Sequence, residues 1–576
     1  KDKNATSHIS THARLTFNLA EAWKLTFFGS YTYNVVENAQ YLPVAVWAQG
    51  QAYRGDKKME SLLGNLMLSY KKEWRKHFFD VLGLAEIQKD KYSGFYTTVT
   101  NFSNDKLGYD NLQGGAIRPW DGTNSYYEDP RLVSFMGRVN YTYDDRYILT
   151  VNARGDASSK FGSNHKWGFF PAVSVAWVVS KEKFMESVGF VDDLKITASY
   201  AKLHQDLDIS DYYMYKGYFS DKGGWFQWYD GTVGGNTTGS KRGDNPNLDF
   251  ITREEVRVGI DATLFNRLLR INANYFTQKT SGLLTQGAST IYPSFFDLGT
   301  DLSFLPWINY NEDKRTGFDF SLSANKKIGD FDVTLGVNGM VFSSKASIRD
   351  EVANESYLLR QGRALDATYG YVCEGFFQDQ ADIEKHAKQT FGTVRPGDLK
   401  YKDINGDGVI NSDDQIDLGA GGWSTSPFTF GLNLTLKYKN FTLFAMGSGQ
   451  TGAVAFKNNS YYWNRGTSKF SEIVMGRWTE ETKETATYPR LSTSNGDNNF
   501  RNSTFWMYKN NVFRLSNVQL TYDFPTDTFN GTFIRGLSLY CGGSNLLTIA
   551  KEREYMEMSL GAPQYRNFYL GFKAAF

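Results

Sequence analysis

Apolar and polar residues alternate one by one along much of this chain. Val133, Phe135, Gly137, Val139, Tyr141 and Tyr143 share one parity, and Ser134, Arg138, Asn140 and Thr142 share the other. A period of two sends successive side chains to opposite faces of a strand. The pattern resumes after Asp144-Asp145 and recurs at 194–200, 256–264, 269–275 and 428–438. It also ends the chain, where Phe568, Leu570, Phe572, Ala574 and Phe576 alternate with Tyr569, Gly571, Lys573 and Ala575. These segments run about 10 to 14 residues, against about 5 to 6 in soluble sheets. A tilted strand needs about 9 to 11 residues to cross a bilayer. The pattern therefore predicts an all-β fold, a transmembrane antiparallel β-barrel, with roughly 16 to 18 strands in this chain.

The connections sort by length. Those at 144–146, 265–268, 328–330 and 439–440 are tight, whereas those at 101–132, 204–252, 282–315, 345–427 and 447–509 are long. Short turns at one end and long loops at the other are the layout of an outer-membrane barrel. Residues 345–427 are read as a long extracellular loop region, and the whole of 1–576 as barrel sequence.

Composition agrees and removes alternatives. A net charge of +1 over 576 residues leaves no basic excess to neutralise phosphates, which argues against a nucleic-acid partner. Aromatic residues make up 16%, with 54 glycines and only 12 prolines, a mixture suited to strands and their turns. The mean hydropathy of −0.46 speaks against a helical membrane protein but not against a barrel, whose strands show lipid only half their residues. No apolar run is long enough for a transmembrane helix. Cys373 and Cys541 are read as two free thiols rather than a bridge. The first residues carry no signal peptide although the remainder reads as exported, so a processing boundary is expected ahead of Lys1. The six histidines are scattered, and neither a nucleophile elbow nor a phosphate loop is present, so no catalytic residues are assigned.

Two features carry candidate binding chemistry. The stretch from Asp403 to Asp414 follows the spacing of a calcium loop, with Asp403, Asn405 and Asp407 at its first, third and fifth positions. Gly408 stands where the sharp turn is needed, Val409 offers its carbonyl, Asn411 follows, and Asp414 takes the last position in place of the usual Glu. An oxygen-only donor set suits a hard cation, so structural calcium is the expected ligand, against the plainer reading of a solvated Asx-rich turn. The long loops are rich in aromatic side chains: Trp225, Trp228, Tyr229, Tyr292, Trp307, Tyr462 and Trp463. Such rings suit the apolar faces of sugars, but they equally suit peptide ligands or loop packing.

Several motifs resemble one family. They are Arg146-Tyr-Ile-Leu-Thr150, Arg154-Gly-Asp-Ala-Ser-Ser-Lys-Phe-Gly162, Trp167 to Trp177, Asn245-Pro-Asn-Leu248, Tyr369-Gly-Tyr371, Gly375-Phe-Phe-Gln378 and Gly397 to Gly408. Arg477-Trp478, Tyr488-Pro-Arg490, Asn502 to Trp506, Phe513 to Asn517 and Ser544 to Thr548 follow in order. Together they are similar to the barrel portion of SusC/RagA-like TonB-dependent outer-membrane transporters of Bacteroidetes. That resemblance implies a barrel of about 22 strands around an internal plug. It implies a SusD-like surface lipoprotein as lid, a dimer of such pairs, TonB as energy source and a location in the outer membrane. The expected cargo is an oligosaccharide first and an oligopeptide second, imported without enzymatic chemistry. A surface carbohydrate-active β enzyme and a passive porin or adhesin are the rival classes. Plug, TonB-contacting segment and first strands are missing from this stretch, so the chain is expected not to work alone. Its last strand is expected to pair with a first strand lying outside it. Phe568, Leu570, Phe572 and Phe576 resemble the terminal signal read by the barrel-assembly machinery.

Overall fold

The computed structural model describes residues 2–46, 49–118, 122–205, 214–220, 239–293, 304–422, 426–467, 470–493, 497–531, 533–552 and 565–576. Among them are seventeen strands of nine residues or more. They are β1 (Asp2–Ala20), β2 (Trp23–Leu42), β3 (Gln51–Trp74), β4 (His77–Phe102), β5 (Arg131–Tyr143), β6 (Tyr147–Ser158), β7 (Trp167–Val178), β8 (Val191–Gln205) and β9 (Ile251–Leu264). They continue as β10 (Leu269–Thr285), β11 (Ile308–Ile328), β12 (Phe331–Ile348), β13 (Phe428–Tyr438), β14 (Phe441–Thr451), β15 (Val512–Asp523), β16 (Gly536–Ile549) and β17 (Asn567–Ala575). The chain forms two compact units. One holds Lys1–Trp177, Ser199–Glu254 and Thr280–Tyr310; the other holds Val178–Ala198, Glu255–Lys279 and Asn311–Phe576.

In the first unit β1 to β7 form an antiparallel meander, each strand paired with the next in sequence. β3 and β4 run 24 and 26 residues, well beyond the expected length. The side-chain pattern explains the excess. Leu62, Gly64, Leu66, Leu68 and Tyr70 form an apolar strip on one face of β3, and the same parity continues upstream as Glu60, Lys58, Asp56 and Arg54. Only the apolar stretch matches a bilayer crossing; the polar remainder continues the sheet beyond it, where β3 is paired with β2 on one side and β4 on the other. Two short strands, Gly115–Ile117 and Thr123–Glu128, fold back onto β4 within the long loop that follows it.

The sheet is inside out by soluble standards. Leu15, Leu62, Phe135, Val139, Val151, Phe169, Val173 and Val175 are all exposed. Across the strands the opposite face pairs polar groups: Arg138 Nε donates to Asn152 Oδ1 at 2.7 Å, and Thr150 Oγ1 donates to Asn140 Oδ1 at 2.9 Å. Leaving a Val or Leu in water rather than burying it forgoes about 1.5 to 3 kcal/mol. Repeated along every strand, that loss requires an apolar solvent around the outer face.

The second unit contains a like meander, β11 to β17. Its tight turns use left-handed backbone where the sequence permits it: Gly329 at φ 58° and Lys439 at φ 50°. In the first unit Asp144 and Asp145, at φ 52° and 53°, close the β5–β6 hairpin. The long connections of the second unit pack together. Residues from 371–410 and 456–506 share one core built of Tyr371, Leu399, Tyr401, Ile410, Phe456, Tyr462, Tyr488, Phe500 and Trp506. The 345–427 loop region thus does not stand by itself; the loop after β14 supplies much of its interior. A short helix, α1 (Gln380–Lys385), is capped by Asp379, whose side chain accepts from the Asp382 amide at 2.7 Å.

Candidate functional site on the polar strand face

In the second unit the strand registers bring polar residues of five strands into rows. Asp319 lies opposite Met340, Met340 opposite Thr429, Thr429 opposite Gln450, and Gln450 opposite Val512. The neighbouring row runs Asn338, Gly431, Ser448 and Arg514. Together they line a concavity of 490 Å³. Gly431 leaves room there for the Asn338 amide, which a Cβ would approach to 2.8 Å at Oδ1.

A chain of charges and amides extends this wall. Arg257 Nη1 lies 3.2 Å from Asp319 Oδ2. Asn274 Nδ2 donates to Asp319 Oδ1 and to Asn272 Oδ1, both at 2.8 Å. Asn272 donates in turn to Asp261, whose other oxygen is 3.1 Å from Lys195 Nζ. Two cations and two carboxylates balance along this chain, so the wall is polar with its charges paired. It can offer hydroxyl, amide and carboxylate contacts to a hydrated solute.

Nearer the strand ends a second concavity, of 250 Å³, is lined by Arg315, Phe342, Lys345, Ala364 and Asp366. The Arg315 guanidinium sits 4.8 Å from the Phe342 ring centre. Here the loop region meets β12: the Gly362 amide donates to Ala346 O at 2.7 Å and Leu365 to Ser344 O at 3.2 Å.

The loop core holds its own polar groups. Asp398 is buried, its Oδ1 2.7 Å from Arg490 Nε, while Arg490 Nη2 and the Arg395 amide donate to its Oδ2 at 3.1 and 2.8 Å. Asn499 Nδ2 donates to Oδ1 at 2.9 Å. The Tyr488 hydroxyl donates to Tyr462 O at 2.7 Å and accepts from Asn464. Burial drives the Tyr401 hydroxyl well above the ordinary tyrosine range and pushes the Cys373 thiol up to about 11. Gly397, at φ 85°, lies under the Trp478 indole, which a Cβ would approach to 2.5 Å. The motifs Gly397 to Gly408, Arg477-Trp478, Tyr488-Pro-Arg490 and Asn502 to Trp506 therefore meet in one place. A second meeting point lies in the first unit. Phe161 packs on Phe250 with ring centres 4.2 Å apart, Asn164 bonds Asn247 at 3.1 Å, and His165 contacts Asp249 at 3.0 Å.

Of the predicted ligand-binding aromatics, four lie among the described residues. Trp225, Trp228 and Tyr229 lie outside the described residues. Tyr292 and Trp307 belong to the first unit, where Trp307 packs against the cluster of Phe161, Leu248 and Phe250. Tyr462 is 4% exposed inside the loop core, and Trp463 packs against that core. Tyr462 is thus held as packing, and none of the four described rings lines either concavity. Asp319, Asn338, Thr429, Gln450 and Arg514, which line the larger concavity, belong to no chemical motif in the sequence. Their shared parity on adjacent strands was the signal, but only register shows that they coincide.

The Asp403–Asp414 loop is closed by its own backbone. Asp403 accepts from the Gly406 and Gly408 amides at 2.7 and 2.9 Å, and Asp407 from Val409 at 2.7 Å. Asn405 accepts from the Asp407 amide at 3.1 Å and Asn411 from the Asp413 amide at 2.6 Å. Asp414, fully buried, uses one oxygen for the Ile404 amide at 2.8 Å and the other for Asn411 at 2.9 Å. Among the described residues no three His, Cys, Asp or Glu groups converge as a metal cluster. Cys373 and Cys541 are both free. In β17, Phe568, Leu570 and Phe572 are exposed, and Phe576 stacks on Phe533 at 5.6 Å.

This architecture, apolar strips outward and a polar wall behind them, defines an outer-membrane barrel protein. The chain belongs to the TonB dependent receptor-like, beta-barrel family, whose model matches residues 1–546. It is 27% identical over 514 residues to TonB-dependent receptor P3 of Formosa agariphila, covering 87% of this chain and 49% of that protein. It is 22% identical over 505 residues to TonB-dependent receptor SusC of Bacteroides thetaiotaomicron, covering 84% and 46%. The chain thus spans about half the length of the curated relatives it matches. In fold it resembles the RagAB peptide importer in its open-open state, with a TM-score of 0.79 at 19% identity over 100% of this chain and 62% of that one.

Proposed function

We propose that this chain forms most of the barrel wall of a SusC/RagA-type transporter that imports an oligomeric nutrient across the outer membrane, with an oligosaccharide as cargo. The observation that carries the reading is the polar concavity bounded by Asp319, Asn338, Thr429, Ser448, Gln450 and Arg514 on the face opposite the apolar strips. Amides, hydroxyls and paired charges at that spacing suit a ligand dense in hydroxyl groups. The reading includes a SusD-like lipoprotein over the long loops, pairing of two such complexes, and energy from TonB through a plug. It includes a structural calcium ion near Asp403, Asn405 and Asp407, supported by the oxygen-only donor set, and an assembly role for the exposed terminal strand.

An oligopeptide cargo is the second reading, favoured by the fold likeness to a peptide importer. Growth of a strain lacking the transporter, complemented with wild type or with Asp319→Ala/Arg514→Ala, separates the two. Loss of growth on oligosaccharides, with growth on oligopeptides intact, is the expected outcome. The reverse selectivity would transfer the assignment to peptides, and unchanged growth on both would remove the polar wall from the transport path.

A further inference from the structure

The short-turn end of the first unit carries a basic and aromatic patch that nutrient uptake does not use. The β3–β4 hairpin reads Lys71-Lys-Glu-Trp-Arg-Lys-His77. On β3, Tyr70, Lys72 and Trp74 continue the parity of Leu62, Leu66 and Leu68, so Lys72 and Trp74 stand on the lipid side of the strand. Register sets Trp74 opposite His77, His77 opposite Tyr143, and Tyr143 opposite Tyr147, which makes a belt of rings along the ends of four strands. His77 stacks on Trp74 at 5.7 Å and bonds the Tyr141 hydroxyl through Nδ1 at 2.8 Å. Trp74 is 60% exposed although it is the largest side chain of the hairpin. Amphipathic rings in such a belt sit at headgroup depth.

The cations of the hairpin divide into two groups. Lys71 pairs with Asp80 at 2.9 Å, and Lys76 and Arg146 both hold Asp144. Lys72 and Arg75 have no carboxylate within ion-pair distance among the described residues; Arg75 rests 5.6 Å from the Trp74 ring. The remaining positive charge therefore lies beside an exposed indole, at the edge of the apolar strip.

We propose that this hairpin end is a docking site for an anionic phospholipid of the adjoining leaflet. Lys72 and Arg75 would face its phosphate, and Trp74 its glycerol and upper acyl region. Charge complementarity and continuity with the lipid-facing strip select a lipid over an acidic soluble protein, because Lys72 leaves the strand on the bilayer side. A cation near a membrane surface strengthens attraction to anionic lipid by about fivefold each.

The test is native mass spectrometry of the intact transporter in mild detergent, titrated with phosphatidylglycerol or phosphatidylethanolamine. Wild type is expected to retain phosphatidylglycerol preferentially. Lys72→Gln/Arg75→Gln is expected to lower that retention roughly twentyfold while leaving the heat-modifiable mobility of the folded barrel unchanged. Lys58→Gln/Lys91→Gln, paired with Asp56 and Glu60 toward the other end of the same two strands, is expected to change nothing. Equal retention of the two lipids by wild type, undiminished retention by the hairpin variant, or an equal fall in the control variant would each overturn the site. Binding of soluble glycerol phosphate as strongly as of the lipid would overturn the lipid as its occupant.

Discussion

The strand wall and the loop core draw on the same aromatic-rich composition and put it to opposite uses. On the wall, Phe135, Val151, Phe169 and Leu570 point outward, and Leu570 is 83% exposed. In the loop core, Tyr401, Tyr488, Leu399 and Ile410 are wholly buried. The wall has its polar groups facing inward and its apolar groups facing a lipid solvent. The loop core is built as a soluble domain, with an apolar centre and internal polar groups such as Asp398 and Tyr488 held by hydrogen bonds. Residue type alone therefore does not say which way a side chain points. The solvent on either side of each element does.

That contrast yields a graded set of outcomes. Asp398→Ala should have the largest effect, because it strands the Arg490 guanidinium in the loop core; loss of about 3 to 5 kcal/mol is expected. Hydrogen exchange at 397–410 reports it, and unaltered protection there would mean the core is not a cooperative unit. Next, Val151→Arg on the outer face should cost about 2 to 4 kcal/mol in bilayers, whereas Asn152→Arg on the polar face should cost far less. Equal destabilisation of the two, followed by urea unfolding in liposomes, would erase the distinction between faces. Tyr488→Phe removes the donor to Tyr462 O and the acceptor for Asn464, for about 1 to 3 kcal/mol, visible as faster proteolysis within 456–506.

The smallest effect concerns the Cys373 thiol, raised to about 11 by burial. A raised acid stays protonated when folded. Its contribution is therefore present below the ordinary thiol value and fades as pH climbs through about 11. Maleimide should leave Cys373 unmodified near pH 8 in the folded protein and label it after unfolding. Rapid labelling of the native protein would show that the loop core opens.

Much of the wall was legible in the alternation. The apolar strips of β5, β6, β9 and β13 and the turns at Asp144-Asp145 and Lys439 follow from parity and turn chemistry, which are local. The extra length of β3 and β4 was hidden, because Arg54 to Glu60 keep the strand parity but lose the apolar signal. Tyr462 looked like a ligand contact, since an aromatic residue in a long loop reads the same whether it faces solvent or a core. The calcium spacing was equally visible, yet the sequence could not show that both Asp414 oxygens are occupied by backbone amides.

What the sequence by itself determined is the class: period-two alternation over long segments demands strands with unlike faces, and chain-terminal Phe568, Leu570 and Phe572 demand a solvent other than water for one of them. What only the tertiary structure decided is coincidence across strands and loops. Register placed Asp319, Thr429, Gln450 and Arg514 around one concavity, and packing drew Gly397, Trp478, Tyr488 and Trp506 together from separate loops. The physical reason is range. Side-chain parity is set by neighbouring dihedrals, whereas register and loop packing depend on contacts between residues far apart in sequence, which no local pattern records.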